Sequence, residues 1–140
     1  MRNDDTFLFT ITKVPKLFKE FFKKFECSID DFDYCMLHQP NLMILQQIAK
    51  RIKIPEGKMH VSLNKYGNTD GASIPLGIAD LCQELKTDQK LKLICSGFGV
   101  GLSWAVVAFD LECCDVLPIV TTDEYWEEGF EAIKCVEGNE

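Results

Sequence analysis

Hydrophobic residues recur at helical spacing in three segments of the chain. In residues 5–26, phenylalanines and other apolar residues fall every three or four positions with lysines between them, which predicts an amphipathic helix with a kink or a restart near Pro15. Such a helix can lie on a membrane surface, but we favour packing of its apolar face against a sheet. Residues 42–52, which follow Pro40, and residues 74–85 predict two further helices.

Short apolar runs between these helices predict strands. The runs cover residues 35–37, 60–63, 91–95, 104–109 and 116–120. The glycine-rich turn 97–101 separates the third run from the fourth, which we expect to return as its hairpin partner. Residues 121–123 offer caps for a final helix that would run through Ala132. Alternating helices and strands predict an α/β layer structure.

Composition and charge restrict the class of protein. A chain of 140 residues, 46% hydrophobic and 26% charged, is typical of one globular domain. No apolar run is long enough to span a membrane, and the polar start argues against a signal peptide, so we expect a cytoplasmic protein. The net charge is −7, and the segment from Glu112 onward carries nine acidic residues and one lysine. No basic stripe remains that would favour nucleic acid as a partner.

The seven cysteines predict buried free thiols. Their number is odd, no C-x-x-C pair occurs, and most of them fall within apolar runs. This pattern favours neither a disulfide framework nor a metal site, and we expect no metal.

Three polar loops follow three of the predicted strands, in residues 38–41, 66–75 and 97–104. Ligands bind at strand ends in open α/β sheets, where a His, an Asn and backbone amides can donate hydrogen bonds to one oxygen. Each feature is weak alone, since a single His is usually structural and Asn68 is a common turn residue. The 97–101 turn resembles a dinucleotide fingerprint, but a strand follows it, so we reject a Rossmann fold.

Taken together, the three loops resemble one known family. The motifs H-Q-x-N, Y-G-N-T-x-x-A-S-I-P and G-F-G-x-G-L-x-W are similar to those of the C-terminal half of β-ketoacyl-(acyl carrier protein) synthase III, a thiolase-fold condensing enzyme, from near Met1 to about Asp110. The resemblance implies an α/β fold, the C-terminal half of a thiolase-like fold. Its mixed sheet would have helices on both faces and would lack its first, central strand. Residues 1–110 would form this half, and residues 111–140 an acidic extension packed on it.

The resemblance also implies an activity and roles for individual residues. The family carries out decarboxylative Claisen condensation in fatty-acid biosynthesis, with acyl-CoA and malonyl-(acyl carrier protein) as substrates and no cofactor. His38 and Asn68 would be two members of its Cys-His-Asn triad and would hold the malonyl thioester oxygen. The implied substrate-binding residues are Asn41 for the pantetheine arm, Phe98 for the acyl site, and Gly99 and Val100 for the oxyanion hole.

The chain departs from the family in one respect that affects activity. The family's nucleophilic cysteine lies in its N-terminal half, and Cys95 has no adjacent base or positive charge to activate it. We therefore expect the isolated chain, which looks truncated at Met1, to be inactive. Its partners would be acyl carrier protein and the missing N-terminal half or a second thiolase-fold subunit, with a dimer implied by the family.

Two other functions remain open. The chain could be a non-catalytic assembly module that pairs with another thiolase-fold chain. It could also transfer an acyl group to a hydroxyl or amine in surface-polysaccharide synthesis, with His38 as general base.

Overall fold

The structure is a computed structural model that describes residues 3–85, 90–99 and 101–124. Its helices are α1 (Asn3–Phe25), α2 (Leu42–Ile52), α3 (Leu63–Tyr66) and α4 (Ser73–Leu85). Its strands are β1 (Tyr34–Leu37), β2 (Lys90–Gly99) and β3 (Ser103–Glu112), and short 3-10 turns occur at Ile29–Asp31, Asp70–Ala72 and Cys113–Asp115. The three helices expected from the apolar spacing are therefore present.

The first helix packs on the sheet, as we favoured from its sequence. Val14 and Phe18 lie on its apolar face and are fully buried in one core with residues of α2, β1 and β2. Pro15 lies inside α1 without ending it. Within residues 3–85, 90–99 and 101–124, none of the helices combines the length and hydropathy that a membrane-crossing segment needs.

The sheet is mixed and three-stranded, in the order β1-β2-β3. β2 and β3 form the expected antiparallel hairpin, in register from Lys90↔Glu112 to Gly99↔Ser103. β1 pairs with β2 in parallel, from Tyr34↔Leu93 to Leu37↔Ser96. β1 and β2 therefore lie side by side, with no strand between them.

Helices cover both faces of this sheet. Side chains alternate along each strand, so buried residues of the strands face both ways. Cys35 and Leu37 of β1 face α1 and α2, and Ile94 of β2 lies with them. Met36 and Leu93 point to the opposite face, in the core that contains residues of α4. The expected α/β layers with helices on both faces are confirmed.

Two predicted strands are wrong. The segment 60–63 forms no strand. Its neighbour Met59 makes an isolated parallel bridge with Cys35, and α3 begins at Leu63. Residues 116–120 form no strand and follow a 3-10 turn at the end of β3. The rest of the predicted final helix, residues 125–132, lies outside the described residues. The division of the chain at residue 110 stays a prediction.

The glycine-rich segment is also arranged differently from the expected turn. Gly97 and Gly99 belong to β2, so the strand is longer than the predicted 91–95. Gly101 has a φ of +110°, a backbone conformation that side chains rarely adopt, and it occupies the reversal between β2 and β3.

Candidate functional site

His38 lies directly after β1, at the carboxyl end of that strand. Its backbone N–H donates to the carbonyl of Ser96 at 2.9 Å, which continues the β1–β2 pairing by one residue. Its ring contacts Phe98 edge to face, with 5.3 Å between the ring centroids. Its Nδ1 lies 3.0 Å from the hydroxyl of Ser73. The imidazole is therefore held from two sides.

The His38 ring is uncharged at neutral pH. Burial lowers the pKa of the ring below its ordinary value of 6.5, and the charge and backbone carbonyl of Asp70 only partly offset that shift. A neutral imidazole has one protonated and one unprotonated nitrogen, so it can donate one hydrogen bond and accept one.

A cavity of about 120 Å³ opens beside this ring. It is lined by His38, Asp70, Gly71, Ile74, Gly97 and Phe98. Three of the sequence motifs therefore contribute to one cavity, because the β1–β2 register brings His38 and Phe98 to the same edge of the sheet. Among the described residues, Nε2 of His38 has no hydrogen-bond partner, which leaves it available to a bound molecule.

Asn68 lies in the loop that approaches this cavity, but it does not line the cavity. The residue is exposed, and its Oδ1 accepts a hydrogen bond from the backbone N–H of Asp70 at 3.0 Å. This bond orients the amide and leaves Nδ2 without a partner among the described residues. The structure thus brings the Asn68 loop to His38, while the convergence of the two side chains on one oxygen stays a prediction.

The implied substrate-binding residues occupy different surroundings. Asn41 caps α2, where its Oδ1 accepts from the backbone N–H of Ile44 at 2.9 Å. Phe98 is buried in the cavity wall, and Gly99 ends β2 in a shallow depression beside Trp104. Val100 lies outside the described residues.

Two polar residues of the site were missed by the sequence analysis. Gln39 is only 2% exposed; its Oε1 accepts from the N–H of Ser62 and its Nε2 donates to the carbonyl of His60. It therefore ties the end of β1 to the segment that leads to Asn68. Ser73, the partner of His38 Nδ1, is 3% exposed. Both residues lie within the motifs quoted above, and that position was the sequence signal that could have identified them.

A buried carboxylate anchors the start of the Asn68 loop. Asp80 of α4 lies 2.9 Å from Nε2 of His60, and it accepts from Lys65 Nζ and from the Tyr66 hydroxyl at the same distance. Burial raises the pKa of Asp80, but the hydrogen bonds from these three residues outweigh burial and hold that pKa below its ordinary value. The pairing attaches α3 to α4 immediately before Asn68.

This cluster includes a possible metal-ligand set. Ligand atoms of His60, Asp80 and Glu84 lie within 4.8 Å of one another. The amino group of Lys65, however, bonds to both carboxylates and occupies the position between them. A cation of the chain itself therefore already supplies the charge that a metal would bring.

The cysteines of the described residues are free thiols, as expected; Cys35, Cys82, Cys95 and Cys113 are buried as predicted, whereas Cys27 is half-buried and Cys114 is exposed. Burial raises the pKa of Cys95 to about 12, and burial together with Cys95 raises that of Cys35 still further. Both thiols are therefore protonated at neutral pH, a state that is a poor nucleophile.

Comparison with known proteins identifies relatives of the chain. Residues 22–111 match the family model described as 3-oxoacyl-(acyl carrier protein) synthase III C terminal. The β-ketoacyl-(acyl carrier protein) synthase III of Porphyra umbilicalis is 37% identical over 107 residues, which are 76% of this chain and 33% of the relative. That of Streptococcus pyogenes is 40% identical over 100 residues, 70% of this chain and 31% of the relative.

A solved structure supports the same likeness. The 3-oxoacyl-(acyl carrier protein) synthase of Burkholderia xenovorans matches with a TM-score of 0.77 and 36% identity, over 84% of this chain and 34% of that one. The chain therefore spans about a third of the length of the curated relatives and of this structure.

Proposed function

Because the chain belongs to the 3-oxoacyl-(acyl carrier protein) synthase III family, as a C-terminal portion, we propose that it supplies the His–Asn part of a condensing active site. In this proposal His38 and Asn68 bind the thioester carbonyl of a malonyl group carried by acyl carrier protein. The acyl group to be extended is held by a cysteine from the N-terminal part of a synthase III.

In the proposed chemistry, two neutral donors bind one oxygen. When the bond between the malonyl carboxylate and its α-carbon breaks, carbon dioxide leaves and the electron pair forms an enolate. Hydrogen bonds from His38 Nε2 and Asn68 Nδ2 stabilise the negative charge that grows on the thioester oxygen. The enolate carbon then attacks the acyl thioester, a carbon–carbon bond forms, and the cysteine thiolate leaves.

One observation carries this proposal. The imidazole of His38 is neutral, is held through Nδ1, has no partner at Nε2 among the described residues, and lines a cavity that residues of all three family motifs help to form. A donor fixed in this way needs little reorganisation during the reaction, which is the property that makes oxyanion stabilisation effective. Asn41, Phe98 and Gly99 are proposed to contact the pantetheine arm and the acyl group, as the resemblance implies.

In this proposal the nucleophile comes from a partner. Cys35 and Cys95 are buried and protonated. Neither of these thiols is available as the thiolate on which an acyl-enzyme forms, and the isolated chain is proposed to be inactive in condensation.

Complementation tests the proposed function. The chain is co-expressed with the N-terminal part of the Burkholderia xenovorans synthase, and release of carbon dioxide from malonyl-(acyl carrier protein) is measured. His38→Ala or Asn68→Ala should each lower this rate by about a hundredfold or more, the usual cost of losing one oxyanion donor. Asn64→Ala, which changes an exposed asparagine of α3, is the matched control and should have no effect. An assembled complex that releases no carbon dioxide, or in which His38→Ala is harmless, would contradict the proposal.

A role in assembly without catalysis is the second candidate, and the surface of β3 supports it. Trp104 and Val107 on this strand are 39% and 53% exposed, and β3 is paired on one side only among the described residues. Such an edge can receive another chain. In this case Val107→Asp would prevent complex formation, whereas His38→Ala would leave both the complex and the activity of its partner unchanged.

A further inference from the structure

We infer that Ser73 is a positioning residue whose hydroxyl fixes the tautomer of His38, so that the proton of the neutral ring sits on Nε2 and faces the cavity. This inference rests on the proposed function, which needs a donor at Nε2. It assigns a specific task to a buried serine that has no contact with the reacting atoms.

The geometry around Ser73 allows two arrangements of one proton. Its Oγ lies 3.0 Å from His38 Nδ1 and 2.8 Å from the carbonyl oxygen of Asp70. If the hydroxyl donates to Asp70, Nδ1 must carry the ring proton and Nε2 is bare. If the hydroxyl donates to Nδ1, the ring proton moves to Nε2, and His38 becomes a donor toward the cavity.

The second arrangement leaves no backbone group unpaired. The carbonyl of Asp70 also accepts a hydrogen bond from the backbone N–H of Ser73, in the 3-10 turn that precedes α4. Rotating the hydroxyl toward Nδ1 therefore costs Asp70 only one of its two hydrogen bonds. A carbonyl oxygen that keeps one partner carries little penalty compared with a buried group that has none.

The hydroxyl of Ser73 also has no substitute among the described residues. Among the described residues, its hydroxyl is the only group within hydrogen-bonding distance of Nδ1 that can donate a proton. The other polar group beside the ring is the carbonyl of Asp70, which can only accept. Without the hydroxyl, Nδ1 would keep the proton to satisfy that carbonyl, and Nε2 would face the cavity as an acceptor.

Ring-nitrogen NMR of the labelled chain near neutral pH tests this inference directly. The chain has two histidines. In the unchanged protein His38 should be protonated at Nε2, and in Ser73→Ala it should be protonated at Nδ1. His60 is an internal control, because its Nε2 is held by the Asp80 carboxylate at 2.9 Å, and its signals should not move. A proton on Nδ1 of His38 in the unchanged protein, or the same tautomer in both, would overturn the inference.

Kinetics of the complemented enzyme provide the second measurement. Ser73→Ala should lower kcat by about a hundredfold with little change in KM, as expected for a lost oxyanion donor. Ser73→Thr keeps the hydroxyl and should restore both the tautomer and most of the rate. Adding Ser73→Ala to His38→Ala should cause no further loss.

The two kinds of failure are distinguishable. If the tautomer changes in Ser73→Ala but no variant affects carbon dioxide release, the proposed function is wrong. The role of Ser73 in setting the tautomer of the His38 ring then stands. If His38→Ala abolishes release but Ser73→Ala does not, the proposed function stands and the inference is wrong.

Discussion

Gly77→Ala tests whether close contact between α4 and β1 sets the geometry of the site. Gly77 lies one turn after Ser73 in α4, and Met36 lies two residues before His38 in β1. A Cβ added at Gly77 would sit 2.7 Å from the sulfur of Met36, about 0.7 Å short of ordinary van der Waals contact, which begins near 3.4 Å. Met36 is 0% exposed, so its side chain has little space to move.

Two opposing effects determine the stability of this variant. Alanine is better than glycine inside a helix by about 1 kcal/mol. Forcing an extra methyl group into a packed core costs roughly 1–3 kcal/mol. We therefore expect a net loss of up to about 2 kcal/mol in the free energy of unfolding. Any outward shift of α4 would also move Ser73 away from His38, whose contact is 3.0 Å.

Urea unfolding of Gly77→Ala measures this balance, with Gly71→Ala as the matched control. Gly71 has no atom within 4 Å of an added Cβ, so its variant should not be destabilised by steric overlap. Repeating Gly77→Ala in a Met36→Ala background should remove the loss, because the overlapping sulfur is gone. A Gly77→Ala chain that gains about 1 kcal/mol, as helix propensity alone predicts, would refute the steric argument.

Three further predictions concern ionisable groups. Since the pKa of His38 is lowered in the folded chain, its contribution to stability should be present above pH 6.5 and be lost as the pH falls through the lowered value; the urea midpoint should show this decline, and His38→Gln should remove it. The pKa of Asp80 is also lowered, so its stabilisation should persist above pH 3.8 and disappear at more acidic pH, and Asp80→Asn should lower the urea midpoint at neutral pH. Iodoacetamide at neutral pH should modify exposed Cys114 and spare Cys95 in the folded chain; modification of Cys95 at a comparable rate would show that its thiol is activated.

Long periodic segments of this fold were predictable from sequence, and short ones were not. Residues 74–85 show clear helical spacing, and α4 begins at Ser73, within one residue of that expectation. Residues 60–63 and 116–120 are short apolar runs. Such runs occur in strands, in coil and at the start of helices. Burial against neighbours decides between these states, and tertiary packing of that kind is not visible in a run of four or five residues.

The sequence motifs predicted residues of the candidate site, but they did not predict the hydrogen-bond partners of those residues. The motifs identified His38 and Phe98, which the sheet register brings together. They did not reveal that the hydroxyl of Ser73 would meet the His38 ring, because this contact spans 35 residues and depends on how α4 packs against β1. For the same reason the buried bonds of Gln39 were missed, although the residue lies next to His38.

The polar contacts described above explain how His38 and the Asn68 loop are held in position within this chain. The Asn68 loop is attached on one side by the Asp80 cluster, which joins α3 to α4, and on the other by Ser73, which contacts His38. Both attachments lie within the described residues and require no group from elsewhere. In the proposed function, the donors are therefore expected to be in position before a nucleophile-bearing partner binds. That partner would need to supply the acyl thioester and the remaining walls of the pocket, and it would not need to reorganise the donors.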